Sequence, residues 1–352
     1  MKFGLSFLPD ATASTKSAVD YYRDAIALSR QADEAGMHFI KMTEHYLHPY
    51  GGYCPSPITF LAAVASVTSR IRLMTGGALP VFHHPVKLAS YANMLDAISN
   101  GRVEIGFSRA WIPDEFDAFG IDMDGSRERF TETIHAIRKL WTESNVSITS
   151  EYFSFDNVNI FPPTIQQPHI PVWIAAVQSR QSFAWIGQEG FKLLLTPGLQ
   201  TYDSLKEFID VYRENFAYYH PHLQSEVAIS LPIYLHTDEK QAIREGDYYL
   251  KRYLDVWADA AKTWNSRTSS DYPRYTGFGQ GLRIDSPEQM RDRGAAIVGT
   301  PSQALEQMHE LHVRLGAETI LWQIDFGAMP GDKAERCLNL FLEYMWSGCI
   351  KL

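Results

Sequence analysis

The chain has 352 residues, 45% hydrophobic and 21% charged, the balance of an ordinary globular protein with enough length for a full core. Its net charge of -9 argues against a nucleic-acid-tracking surface, which would be basic, and the absence of any apolar run of roughly 18 residues argues against a membrane-spanning helix. Three widely spaced cysteines, Cys54, Cys337 and Cys349, suit a reduced compartment rather than a disulfide framework or a Cys-based zinc site.

In chain order, residues 2–8 read as a strand that begins at once. The basic, apolar and small-residue regions of a signal peptide are missing, so a cytoplasmic location is expected. Residues 18–35 have helical periodicity (Val19, Tyr22, Ile26, Ala32) and stop at Gly36. Strand-like segments then alternate with helical ones: strands at 39–43, 71–75, 103–107, 172–176, 192–196, 227–236 and 319–323. Helices are read at 58–68, 86–98, 127–141, from 182, at 204–219, 239–264, 302–315 and 335–345. Eight short apolar strands separated by helices predict a parallel sheet, and eight such units fit a closed (β/α)8 barrel in a single domain over residues 1–352. Two insertions interrupt the pattern. Residues 144–168 contain a candidate hairpin, and residues 263–293 are polar and rich in glycine, serine and aromatics (Tyr272, Tyr275, Phe278). The second has the composition of a mobile lid more than of a packed element.

The strand at 103–107 alternates Val103, Ile105 and Phe107 and is followed by Ser108, Arg109 and Trp111. In a barrel, the C-terminal ends of strands build the active site, so Arg109 is placed to hold an anion such as a phosphate. A surface acid is the alternative partner. Glu44 and His45 end the second strand on the same rim, where a histidine can move protons near neutral pH. His48 and the pair His83-His84 do not complete a metal-ligand spacing, and no metal is expected. Gly76 and Gly77 end the third strand and allow close approach to the backbone. Gln178, Ser179 and Ser182 follow the fifth strand and open a helix, whose N-terminus is an anion site or is simply capped by Ser182. Ser126 reads as the cap of the helix at 127–141. Phe7, Tyr46, Trp111, Ile112 and Leu195 lie at strand ends or on rim loops, as pocket walls or as core layers.

Six short motifs occur in register: Thr43-Glu44-His45-Tyr46, His84-Pro85-Val86-Lys87, Met94-Leu95-Asp96, Ser99-Asn100-Gly101-Arg102, Arg109, and Phe119-Gly120-Ile121-Asp122-Met123-Asp124. In this order the chain resembles the bacterial luciferase-like, flavin-dependent monooxygenases, and most of all the luciferase α-chain type. The resemblance runs from Lys2 to about Pro301 and thins after residue 200. It implies a homodimer that binds reduced FMN delivered by a separate flavin reductase. Oxygen is the co-substrate, and one oxygen atom enters a small organic molecule through a flavin C4a-(hydro)peroxide. His45 matches the family's acid/base beside the flavin, and Arg109 matches its phosphate ligand. Gly76-Gly77 matches a non-prolyl cis peptide under the ring. Glu44, Ser108, Gln178, Ser179 and Ser182 complete the implied cofactor set. Tyr46 and Ser108 depart from the luciferase histidine and cysteine. No Gly-x-Gly-x-x-Gly follows a strand, so no NAD(P)H site is expected. Two alternatives remain: a deazaflavin-dependent dehydrogenase of the same barrel, and a non-catalytic flavin-binding protein.

Overall fold

The computed structural model describes residues 1–346; Cys349 lies outside them. The eight expected strands form a closed parallel barrel. In chain order the first units are β1 (Lys2–Phe7), α1 (Ala18–Glu34), β2 (Phe39–Met42), α2 (Pro57–Val67), β3 (Arg72–Ala78), α3 (Pro85–Ser99) and β4 (Val103–Phe107). Next come α4 (Pro113–Phe119), α5 (Ser126–Thr142), the hairpin β5 (Val146–Thr149) and β6 (Ser154–Val158), β7 (Val172–Ala176), α6 (Arg180–Gln188) and β8 (Lys192–Leu195). The chain continues through α7 (Tyr202–Tyr219), β9 (Val227–Leu235), α8 (Glu239–Ala260), α9 (Phe278–Ile284), α10 (Pro287–Asp292) and β10 (Ile297–Gly299). It closes with α11 (Pro301–Leu315), β11 (Thr319–Gln323) and α12 (Gly331–Tyr344). The order around the barrel is β1-β2-β3-β4-β7-β8-β9-β11, and β11 pairs back onto β1 through Lys2 opposite Thr319. The short β10 extends the far end of β9 and was not foreseen, because three residues carry too little periodicity to read.

Alternation along the strands sorts side chains between the inside of the barrel and the helix layer. Phe39, Met74, Trp173, Leu194, Ala228 and Leu321 form an inner apolar layer that plugs the barrel. Two residues further along each strand the same inward face carries Lys41, Gly76, Ala175, Thr196, Ser230 and Gln323. The inward set therefore changes from bulky apolar to small and polar, which opens space toward the C-terminal rim.

Two caps differ from expectation. Ser179, not Ser182, caps α6, accepting the Ser182 N–H at 3.4 Å. Gly125, in the left-handed region at φ 82°, precedes α5, so Ser126 is the first helical residue. Residues 111–119, read as loop, contain α4, which Pro113 starts and Gly120 ends. The 263–293 segment is packed in this structure, with Trp264, Tyr272 and Leu282 buried. Many of its polar residues are exposed, and Trp264, Tyr272, Tyr275 and Phe278 pack on one another. No helix among the described residues is long and apolar enough to cross a membrane.

Candidate active site

A cavity of about 650 Å³ opens at the C-terminal rim. This is within the usual range for a cofactor or small-ligand site, roughly 300–1,000 Å³. It is lined from β2, β3, β4, β7 and β8 and their following loops, from the start of α5 and from α8, and is roofed by residues of the 263–293 segment.

One end is cationic. Arg109, whose side chain is 17% exposed, lies at the cavity wall with its Nη1 buried and without a hydrogen-bond partner. Its other nitrogen, Nη2, donates to the Asp271 carbonyl at 2.9 Å, and its guanidinium carbon sits 4.0 Å from the Tyr272 ring centroid. Asp271 Oδ2 is 3.8 Å from Arg109 Nη1 and accepts the Arg127 N–H at 2.9 Å. The Arg127 Nη1 donates to Ser182 Oγ at 3.0 Å. Burial, and then the positive charge of Arg109, hold the Arg127 guanidinium below the usual arginine range. Two neighbouring cations, the serines 179 and 182 and the N-terminus of α6 thus converge on one end of the cavity. This donor set fits a phosphate group.

The other end is aromatic and holds His45. Its Nδ1 lies 3.1 Å from Glu115 Oε1, and that oxygen also accepts the Tyr46 N–H at 2.8 Å. Glu115 is fully buried, and its Oε2 has no partner. The pairing commits Nδ1 to Glu115, leaving Nε2 as the nitrogen that can exchange a proton with a ligand. Tyr50 lies 5.2 Å from the His45 ring and stacks on Trp257, with centroids 5.9 Å apart and planes 14° apart. Trp111 packs against Tyr275 and Phe278.

Between the two ends, the Gly76–Gly77 peptide is cis. A Cβ on Gly76 would lie 2.1 Å from Lys41 Cε, so only glycine leaves room there for the lysine stem. Thr43 Oγ1 donates to the Gly76 carbonyl at 3.1 Å.

The segment that roofs the cavity is tied to both sides. Trp264 Nε1 donates to the Trp111 carbonyl at 2.8 Å, and Thr263 Oγ1 to Asp114 Oδ1 at 2.9 Å. Across the mouth, Arg274 Nη1 donates to the Gln178 carbonyl at 3.0 Å.

Of the residues singled out in the sequence, His45, Gly76, Ser108, Arg109, Trp111, Gln178, Ser179 and Ser182 all line this cavity. Gly77 backs onto β4, where an added Cβ would lie 2.5 Å from the Ser108 nitrogen. Glu44 does not reach the cavity: its carboxylate accepts from Tyr46 Oη at 2.6 Å and the Leu79 N–H at 3.1 Å, and lies 2.7 Å from His83 Nε2. Four expected pocket walls lie elsewhere. Phe7 and Leu195 are odd in register to the inward residues Ser6 and Leu194, so they face the helix layer, where Phe7 meets Phe60 at 5.8 Å. Ile112 is buried in the core just before α4, and Tyr46 turns toward Glu44 and packs on Phe119. His48 Nε2 sits 2.8 Å from Asp114 Oδ2, a local ion pair.

Sequence reasoning missed Lys41, Glu115, Arg127, Tyr50 and Trp257. Arg127 carried a signal, since a cation in the first turn of a helix opposes the helix dipole and needs a reason. Lys41 carried another, a charge at an inward position of an otherwise apolar strand.

Known proteins share sequence and fold with this chain. The family described as luciferase-like monooxygenase matches residues 1–319. The oxygenase component of a flavin-dependent trigonelline monooxygenase from Acinetobacter baylyi is 33% identical over 199 residues, 56% of this chain and 54% of that one. The chain spans about half the length of the curated relatives it matches. Among solved structures, the monooxygenase RslO1 from Streptomyces bottropensis is 34% identical, with a TM-score of 0.88 over 99% of this chain and 100% of that one. The oxygenating constituent of 3,6-diketocamphane monooxygenase from Pseudomonas putida, solved with FMN, shares the fold at 21% identity, with a TM-score of 0.79 over 98% of each chain. The chain belongs to the luciferase-like monooxygenase family.

Proposed function

We propose that this protein is the oxygenase component of a two-component flavin monooxygenase that takes reduced FMN from a separate reductase and oxidises a small organic substrate. The observation that carries the reading is the buried Arg109 Nη1, without a hydrogen bond among the described residues, beside Arg127, Ser179 and Ser182, at one end of a cavity whose other end holds His45. A phosphate satisfies that nitrogen and offsets the repulsion between the two cations. Gly76, Gly77 and Ser108 would hold the ring of FMN. Bound reduced flavin supplies the electrons by which O₂ is activated for insertion of one oxygen atom.

The protein's own groups do the rest. Glu115 fixes the His45 ring so that Nε2 can deliver or remove a proton at the substrate. Tyr272, Tyr275 and Phe278 close the roof and exclude water. Tyr50, Trp111 and Trp257 offer flat apolar walls, which suit an aromatic or other apolar substrate better than a charged one. We also infer a homodimer through α2 and α3, which leave Val67, Tyr91, Met94 and Ile98 exposed.

The test supplies the purified chain with FMN, NADH, a flavin reductase and ¹⁸O₂ over a panel of aromatic and cyclic ketone substrates. One labelled oxygen atom per product, dependent on the reductase, is the expected result. Hydride transfer with a deazaflavin and no labelled product would establish the dehydrogenase instead. Sedimentation of Met94→Glu against the unaltered chain checks the dimer.

A further inference from the structure

Lys41 is the charge that the site described so far does not use. It is 5% exposed and stands in the first inward layer above the apolar plug, on the cavity wall. Its Nζ donates to Ser6 Oγ at 3.0 Å and to Thr43 Oγ1 at 3.3 Å. Ser6 Oγ is in turn 3.1 Å from Ser230 Oγ. Among the described residues no carboxylate pairs with it; Asp325 acts on it only as a more distant charge. Burial pushes the amine down to about 8, with Asp325 opposing. In the same layer Gln323, 3% exposed, has an Nε2 with no acceptor. The layer therefore holds a surplus of donors and one uncompensated cation. A buried cation persists where something anionic completes it.

The lysine stem also runs against Gly76, whose peptide with Gly77 is cis, and the chain of bonds from Lys41 through Thr43 ends on the Gly76 carbonyl. A reduced isoalloxazine carries a negative charge once N1 loses its proton, whereas the oxidised ring is neutral. We propose that the Lys41 ammonium is the counter-charge of the reduced flavin ring, so that this site holds reduced cofactor in preference to oxidised. The proposal rests on the flavin reading above. It makes Lys41 a cofactor-selecting residue, distinct from the phosphate clamp, which both redox states share.

The competing account makes Lys41 a polar filler satisfied by Ser6 and Thr43. The two differ in what Lys41→Met does. That variant keeps a side chain of similar volume and loses the charge together with the two hydrogen bonds to Ser6 and Thr43, a loss that a polar filler would feel equally with either redox state of the flavin. Anaerobic titration of the unaltered chain and of Lys41→Met with reduced and with oxidised FMN separates them. The expected result is a loss of about 10-fold or more in affinity for reduced FMN, with oxidised FMN changed by no more than about 2-fold. The midpoint potential of the bound flavin should fall in the variant. Equal losses for both forms, or no loss in either, would overturn the proposal while leaving the flavin reading intact. Failure of the unaltered chain to bind FMN in either state would remove both. A second measurement needs no variant: ¹⁵N-labelled N1 of reduced FMN bound to the unaltered chain should read as deprotonated at a pH where the free reduced ring is protonated. A protonated N1 there would contradict the assignment.

Discussion

The two mouths of this barrel are built from the same eight strands and treat charge in opposite ways. At the N-terminal mouth every cation of the central cluster is closed. Arg72 binds Glu104, Lys192 binds Glu104 at 3.3 Å and Glu226 at 2.7 Å, Lys2 binds Glu226 at 2.8 Å, and Trp173 Nε1 donates to Glu104. At the C-terminal mouth, among the described residues, Lys41 has no carboxylate partner, Arg109 Nη1 has no hydrogen bond and only a loose 3.8 Å ion pair with Asp271, and Arg127 faces another arginine. A closed network stabilises a fold; unpaired buried donors wait for a ligand. The difference teaches where to look for function before any motif is considered.

Four predictions would break or sharpen that contrast. The largest effect is expected at His45. His45→Ala should lower turnover about 10²–10⁴-fold, the usual span for a lost general acid or base, with FMN affinity little changed. Steady-state rates with saturating reduced FMN check it. At the closed mouth, Glu104→Gln should destabilise the fold by about 2–4 kcal/mol. That is somewhat below the cost of breaking a fully buried pair, because Arg72 and Lys192 still reach water. Urea unfolding measures this, and FMN affinity should not move. At the open mouth, Arg109→Ala should weaken FMN by about 1.5–3 kcal/mol without comparable loss of stability, as read by calorimetric titration. An arginine that served only the fold would reverse that pattern.

The last effect, the smallest per unit of the quantity varied, concerns Asp10, buried beside Asp325 on the same rim. Burial, and then the charge of Asp325, push its carboxyl up to about 7, although the Gly327 and Ala328 N–H groups oppose this. A carboxyl raised in the folded state favours folding while protonated. Stability should therefore fall as pH rises from about 4 toward 7, with a slope of up to about 1.4 kcal/mol per pH unit. Asp10→Asn should flatten that slope in unfolding curves taken across the window.

Much of the barrel was legible because it repeats. Alternation and short apolar runs located all eight barrel strands, and the long amphipathic helices followed from their period. What stayed hidden were elements too short to show a period, such as α4 and β10, and the direction of side chains at strand ends. Phe7 and Leu195 sit on the rim strands as expected, yet one residue of register turns them away from the cavity. The clamp was half legible. Arg109, Ser179 and Ser182 are close in kind to a phosphate site, whereas Arg127 joins them only because α5 starts beside α6. In the roof segment the aromatics were legible but their packing was not: amid serines and glycines they read as a mobile lid, whereas Trp264 and Tyr272 are buried against one another.

The central claim is that the cationic end holds a phosphate, and the most direct measurement compares FMN with riboflavin, which lacks that group. Calorimetric titration of the unaltered chain should give FMN an affinity at least about 10–150-fold higher than riboflavin, a gap that narrows by about that factor in Arg109→Ala. Equal affinities for the two, or a gap undiminished by the loss of Arg109, would contradict the account.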